Sequence, residues 1–282
     1  MKMKDLRQRM IEDMELRGLA SGTQAKYLEA ITALAKHYNR RPDEITQEQI
    51  KNYLLYLTET RKFAKGTFKV HLFAIKFLYE KTLGRQWRLL RLTRVRTDKK
   101  LPVILSQDEV WSLLDRVRRP QARMSLTLMY TCGLRVSEAL HLRLEDVDGR
   151  RKVLWVRNGK GNKDRSVPLP TQTLAQLRAY WAQHRPKTWL FPSKRGTTAI
   201  TSGGVRRALK AALWQSGIRK NVTCHTLRHS YATHLLEAGV HLRAIQALLG
   251  HRSLKTTFVY MHLSQSTMAD VQTKINALMT RG

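Results

Sequence analysis

The chain of 282 residues carries 52 Lys+Arg against 21 Asp+Glu, a formal net charge of +31, with 42% hydrophobic residues. That apolar content suffices for a true core, which excludes a disordered chain, and the length fits one large domain or two ordinary ones. So large an excess of one sign repels itself in a compact state, which points to a polyanionic partner. The basic residues are spread along the chain, as in a folded protein wrapped on a long polyanion rather than a globule with a basic arm. A basic surface serving solubility alone is the lesser alternative. Cys132 and Cys224 both lie in apolar-periodic stretches, and two cysteines make no disulfide framework, so buried reduced thiols are expected. MKMKDLRQRM has no apolar signal region, and no apolar run approaches membrane-spanning length; a cytoplasmic protein without membrane contact is expected.

Residues 1 to about 85 read as helices. In GLASGTQAKYLEAITALAKHY, Ser21 or Thr23 is the expected N-cap, with Tyr27, Ile31, Leu34 and Ala35 as the apolar stripe. Pro42 breaks that helix. Thr46 caps the next, whose stripe is Ile50, Tyr53, Leu54 and Leu57. Lys65-Gly66-Thr67 reads as a turn before a helix carrying Val70, Ala74, Phe77 and Leu78, closed by Gly84. RQWRLLRLTRVRTDKK follows, an arginine-dense linker suited to strapping a phosphate backbone, with a solvated helix extension as the alternative.

A second region starts near Leu105. Ser106 with Glu109 forms a capping box for the helix of Val110, Leu113, Leu114 and Val117. SLTLMYTC is a second helix ending at Gly133, a C′ residue. In LRVSEALHLRLEDVD, Val136, Ala139 and Leu140 share one helical face. KVLWVRNGKGNKDRSVPLP then reads as two strands around an Asn/Gly turn. Helical spacing returns at Thr171 and runs to the C-terminus, where Met268, Val271, Ile275, Leu278 and Met279 form a stripe. The fold class is therefore mainly α with a small antiparallel β element.

The stretch HTLRHSYATHLL, from residue 225, puts three histidines and one arginine in twelve residues. On a helix capped by Thr223, Leu227, Tyr231 and Leu235 face the core, while His225 and Arg228 share a face near the N-terminus, where anions are favoured. His225 and His229 have the i,i+4 spacing of a zinc helix, but Arg228 stands where a hydrolytic zinc site offers Glu, and no carboxylate precedes Glu237; no metal is expected. His229 and His234 read as hydrogen-bonded histidines at a packed edge. Downstream, Leu242, Ile245, Leu248 and Leu249 make a short helix ending at Gly250, followed by His251 and Tyr260; this also resembles a helix-turn-helix DNA reader. Arg135, one turn before Glu138, suits a bidentate phosphate contact, and Lys160 sits at the hairpin tip NGKGN.

The set Arg135, Lys160, His225, Arg228, His251 and Tyr260, in the contexts TCGLRVSEAL, NGKGNKDRSVPLP, CHTLRHSYATHLLEAG and LLGHRSLKTTFVYMH, resembles the tyrosine recombinase (phage integrase) family, with the texture of its Xer-type and mobile-element members. The resemblance covers nearly the whole chain. It implies an N-terminal helical core-binding (SAM-like) domain over residues 1–88, a basic linker over 89–104, a catalytic domain over 105–264 and a C-terminal helix over 265–282 that docks on a neighbouring subunit. It implies DNA cleavage and rejoining by transesterification through a 3′-phosphotyrosine, with no cofactor, metal or ATP. Tyr260 is the implied nucleophile, Arg135 and Arg228 the phosphate clamp, Lys160 the acid for the leaving 5′-oxygen, His225 an acid/base or donor, and His251 a phosphate donor. The implied partner is double-stranded DNA carrying a recombination site, engaged by a dimer per site and a homo-tetramer across two sites; participation of an accessory protein stays open. A type IB topoisomerase, a non-catalytic helix-turn-helix regulator and a metal-dependent nuclease remain as rivals. Target sequence, crossover spacing and direction are not encoded legibly.

Overall fold

The computed structural model describes residues 3–87, 101–157, 164–251 and 253–262. The chain divides into two compact units, Met1–Lys99 and Lys100–Gly282. In the first, α1 (Met3–Leu16), α2 (Ser21–Tyr38), α3 (Gln47–Glu59) and α4 (Lys65–Phe77) surround one core, and α4 continues into a π turn over Leu78–Thr82. The expected stripes supply much of this core: Ile31 and Leu34 from α2, Ile50, Tyr53, Leu54 and Leu57 from α3, Ala74 from α4 and Leu78 beyond it are buried, while Tyr27, Ala35, Val70 and Phe77 are half-buried. Thr46 caps α3 as expected, in a full box: its N–H donates to the Gln49 side chain at 2.9 Å and its hydroxyl accepts from the Gln49 N–H at 3.3 Å. Pro42 opens a 3-10 turn whose carbonyl accepts from the buried Tyr79 hydroxyl, so the break in α2 also anchors the end of α4.

Two local expectations are corrected. The N-cap of α2 is Ala20, with no side-chain cap, and Ser21 is already helical. Lys65-Gly66-Thr67 is the first turn of α4 rather than a loop, because the glycine falls where helical N–H groups lack intrahelical partners anyway.

The second unit opens with α5 (Gln107–Asp115), capped by the Ser106–Glu109 box, and α6 (Pro120–Thr131). From Met124 to Tyr130 every residue of α6 is buried, as befits a central helix packed on all sides. α7 (Val136–Leu140) is only five residues long, shorter than the pattern suggests. The chain leaves it because the backbone pairs elsewhere: the Leu144 N–H donates to the Thr188 carbonyl and the Leu190 N–H to that of Leu142. The sheet has three antiparallel strands in the order β1 (Val147–Asp148), β2 (Val153–Val156), β3 (Arg165–Pro168), one more than the hairpin alone announced. Leu154 and Val167 face each other on the buried side, and Trp155 with Ser166 on the other. The hairpin tip, residues 158–163, lies outside the described residues, and with it Lys160; so do most of the basic linker and the C-terminal stripe.

α8 (Thr171–His184), α9 (Ser202–Ser216), α10 (Cys224–Glu237), α11 (Leu242–Leu249) and α12 (Leu254–Thr257) complete the unit, with a 3-10 turn over Phe258–His262. Helical spacing is thus interrupted between α8 and α9, where residues 185–201 form a β-bridged connection. Cys132 and Cys224 are free and buried. No described helix is long and apolar enough to cross a membrane.

Gly133 locks α6 to α10. Its φ is +64°, and a Cβ there would meet the Tyr231 ring at 2.5 Å and Leu249 at 3.0 Å. Gly133→Ala should therefore destabilise the protein by at least ~2 kcal/mol, adding left-handed strain to a clash in a packed core. Urea unfolding of the two proteins checks this; equal midpoints would disprove the constraint.

Candidate active site

Arg135 leaves the Gly133 turn as α7 begins, and Glu138 sits one turn on. The Glu138 carboxylate accepts from the Arg135 N–H at 2.8 Å and from its Nη1 at 2.6 Å. The same carboxylate takes a bidentate fork from Arg165 at the head of β3, 3.0 Å from Nη1 and 2.8 Å from Nη2. A third guanidinium, Arg228 of α10, lies 3.6 Å away. Burial by itself pushes the Glu138 carboxyl up, but the hydrogen bonds from Arg165 and Arg135 outweigh it and hold the group at about 2.

The three arginines share a second set of acceptors. Arg165 Nε donates to the Leu248 carbonyl at 3.0 Å, Arg228 Nη2 to that of Leu249, and Arg135 Nη2 to that of Gly250 at 3.2 Å. Arg228 also reaches the Gly133 carbonyl at 2.6 Å. The C-terminus of α11, whose carbonyls carry the negative end of the helix dipole, is thus capped by three cations. Arg228 is only 3% exposed. Burial and then the neighbouring Arg135 lower it to about 10, so it stays charged at neutral pH.

Gly250 has a left-handed φ of +59°, which turns the chain from α11 directly into His251. The His251 Nδ1 lies 3.0 Å from the buried Thr257 hydroxyl, and its ring stacks on Tyr260 at 6.3 Å and 16°. Burial, with Arg228 and Arg135 adding to it, pushes His251 down to about 3. Tyr260 is 2% exposed. Its hydroxyl hydrogen-bonds His229 Nδ1 at 3.0 Å. Burial raises the phenol's pKa, while Arg228 and Arg135 oppose the rise. His225 keeps an exposed edge on the first turn of α10, its ring 6.3 Å from that of His229; burial of the rest, then Arg228 and Arg135, lowers its pKa.

Of the residues singled out in the sequence, Arg135, His225, Arg228, His251 and Tyr260 therefore converge within one unit of one chain, and Lys160 is outside the described residues. His229 and His234 are hydrogen-bonded as expected, His234 to the Tyr130 hydroxyl at 2.9 Å, but His229 bonds Tyr260 and so belongs to the cluster. Arg165 was not singled out; its signal is a lone arginine among many at a strand end, which no spacing distinguishes. Among the described residues no three of His, Cys, Asp and Glu gather as a metal site would need. What the arrangement offers is a phenol facing fixed cations and neutral imidazoles, which suits attack on a bound anion.

Comparison with known proteins agrees in kind. Residues 104–267 match the model of the phage integrase family, and residues 6–89 that of the phage integrase N-terminal SAM-like domain. The y4qK protein of Sinorhizobium fredii, named provisionally as an integrase/recombinase, is 43% identical over 265 residues, 93% of this chain and 85% of its own. The tyrosine recombinase XerD of Oceanobacillus iheyensis is 32% identical over 276 residues, 90% of this chain and 92% of its own. The crystal structure of XerA recombinase aligns over 99% of this chain and 100% of its own, with 28% identity and a TM-score of 0.57. A lambda integrase dimer bound to a COC′ core site shares the fold at 21% identity, with a TM-score of 0.73 over 91% of this chain and 94% of its own.

Because the Glu138 carboxyl is depressed below its ordinary 4.5 to about 2, its stabilising contribution is complete above about pH 4.5 and is lost as pH falls through 2. A shift of that size corresponds to about 3 kcal/mol. Glu138→Gln should cost roughly 3–5 kcal/mol at pH 7, since it leaves buried guanidiniums unpaired. The deficit should shrink as pH drops below about 4.5. Urea unfolding at a series of pH values reads both; a constant deficit from neutral to acid would show that the carboxylate is not held ionised.

Proposed function

The chain belongs to the phage integrase family of tyrosine recombinases and is a site-specific DNA recombinase; from that premise we propose that Tyr260 is the nucleophile that attacks the scissile phosphodiester. One observation carries the assignment: the Tyr260 hydroxyl lies in the field of Arg228 and Arg135 of its own chain. Nucleophile and cations coming from one polypeptide support cleavage in cis.

Tyrosine has a pKa of ~10, so its phenolate is roughly 4 kcal/mol uphill at neutral pH. Burial adds to that cost before DNA arrives. Arg135 and Arg228 offset it by clamping the non-bridging oxygens of the phosphate, where charge builds in the transition state; such preorganised donors are worth ~3–4 kcal/mol each. Their forks are already committed to Glu138 and to the carbonyls of Gly133, Leu249 and Gly250, so neither side chain must be ordered when the phosphate binds. His251 contributes as a neutral donor: in the tautomer whose Nδ1 accepts from the Thr257 hydroxyl, 3.0 Å away, the proton sits on Nε2, free for a phosphate oxygen. His225 donates from the neighbouring helix turn. Lys160, from the hairpin after β2, protonates the departing 5′-oxygen.

Attack forms the Tyr260–phosphorus bond and releases a 5′-hydroxyl, leaving a 3′-phosphotyrosine. The bond energy is retained in this ester, so a 5′-hydroxyl from another strand can displace the tyrosine without ATP. The net charge of +31 supports a partner as long and as anionic as duplex DNA. The lambda integrase dimer on its core site supports a dimer per site here, and strand exchange between two sites then calls for a tetramer.

On a nicked substrate from the host locus, the wild-type protein should form a covalent adduct that survives denaturing electrophoresis and persists in EDTA. Tyr260→Phe should abolish it while retaining DNA binding; an adduct formed by that variant would remove Tyr260 from its role. Removing residues 265–282 should leave binding to one site intact and weaken assembly across two. Native electrophoresis separates these complexes, and full synapsis by the truncated protein would exclude the tail from assembly.

A further inference from the structure

The helix that supplies His225 and Arg228 carries a third group beside the nucleophile, His229, to which the family resemblance assigns no role. A phenol about to attack must hand its proton to something. The cations around Tyr260 cannot accept one. Among the described residues, the hydrogen-bond partner of its hydroxyl is the Nδ1 of His229, 3.0 Å away, with the rings 5.7 Å apart and tilted by 50°. That is the distance at which a general base takes a proton.

We propose that His229 accepts the proton of the Tyr260 hydroxyl as the phenol attacks DNA, and returns it when the tyrosine is displaced on rejoining. As the Oη–phosphorus bond forms, the Oη–H bond breaks and the proton moves to Nδ1. The bond from phosphorus to the 5′-oxygen breaks, and that oxygen takes its proton from a separate donor, Lys160 in the reading above. Rejoining runs the same transfers backwards. The proposal rests on Tyr260 being the nucleophile.

A second histidine–tyrosine pair on the same helix sharpens the argument. His234 bonds the Tyr130 hydroxyl in the same way, 2.9 Å from Nδ1. Yet burial alone pushes Tyr130 up to about 12, with no cation opposing it, whereas Arg228 and Arg135 both act on Tyr260. The His234–Tyr130 pair is packing; only the His229–Tyr260 pair couples an acceptor to a phenol that cations help to ionise. Burial first, then His225 and Arg228, pushes His229 down to about 4, so the ring is uncharged at neutral pH and keeps one nitrogen able to take a proton. A docked phosphodiester brings negative charge beside the cations that keep it acidic, and so raises its basicity as substrate binds.

The test is single-turnover adduct formation by the full-length protein on the nicked substrate, at saturating enzyme, with DNA affinity measured separately. His229→Leu should slow the adduct step by ~100-fold or more, the scale of general base catalysis, while DNA affinity holds. His229→Gln, whose amide oxygen accepts a hydrogen bond but cannot hold a proton, should be nearly as slow, and it carries the test should the leucine variant fail to fold. A fluorinated tyrosine at position 260, with its more acidic phenol, should restore at least about tenfold of the lost rate in either variant. His234→Leu is the packing control and should leave the adduct rate unchanged. A wild-type rate for His229→Gln, or a loss that fluorination does not recover, would overturn the proposal. Adduct formation by Tyr260→Phe would instead sink the reading on which it rests.

Discussion

One carboxylate holds the catalytic unit in its working shape. Glu138 pairs with Arg135, Arg165 and Arg228, and each of those guanidiniums reaches one of three successive carbonyls at the end of α11. The strand head, the short helix after Gly133, the long α10 and the turn into His251 are therefore tied at a single point. A planar, always-charged fork suits this task because it can satisfy a carboxylate and a carbonyl at once. Lysine could not.

The charge within this knot does not cancel: the three cations face one anion. In a closed interior such an excess would be costly, and the pKa of Arg228, drawn down by burial and Arg135, registers that cost. In the proposed reaction a phosphodiester offsets part of that excess, and the charge that builds in the transition state offsets more. The site is thus left with an excess of positive charge, its rigidity provided by protein acceptors. That is the economy expected where transition-state charge must be stabilised without a bound ion.

The histidines play a different part from the arginines. Burial, and the cations beside them, push His251 to about 3 and His229 to about 4. At neutral pH both are uncharged and serve as directed donors or acceptors. Each is hydrogen-bonded through Nδ1 to a hydroxyl, that of Thr257 for one and that of Tyr260 for the other. Fixed positive charge and uncharged hydrogen-bonding rings are in this way divided between residue types within one cluster.

Much of this was legible in the sequence because local structure is written at short range. Apolar stripes of period 3.6 named most of the buried residues of α2, α3 and α5, Thr46 and the Ser106–Glu109 box marked helix starts, and β-type runs around an Asn/Gly turn marked β2 and β3. The order and context of Arg135, His225, Arg228, His251 and Tyr260 also carried the resemblance to the family, which residues 104–267 bear out. The rest was decided by contacts between residues far apart in the chain, which leave no period to read. Arg165 meets Glu138 across 27 residues, and His229 meets Tyr260 across 31. β1 exists only because β2 lies beside it, and α7 stops early because its continuation pairs with the segment around Trp189. The sequence by itself determined the helices, the hairpin and the family. Only the tertiary structure decided which arginine completes the knot and which histidine touches the nucleophile, because a hydrogen bond between distant residues depends on where folding delivers them, and spacing along the chain does not record that.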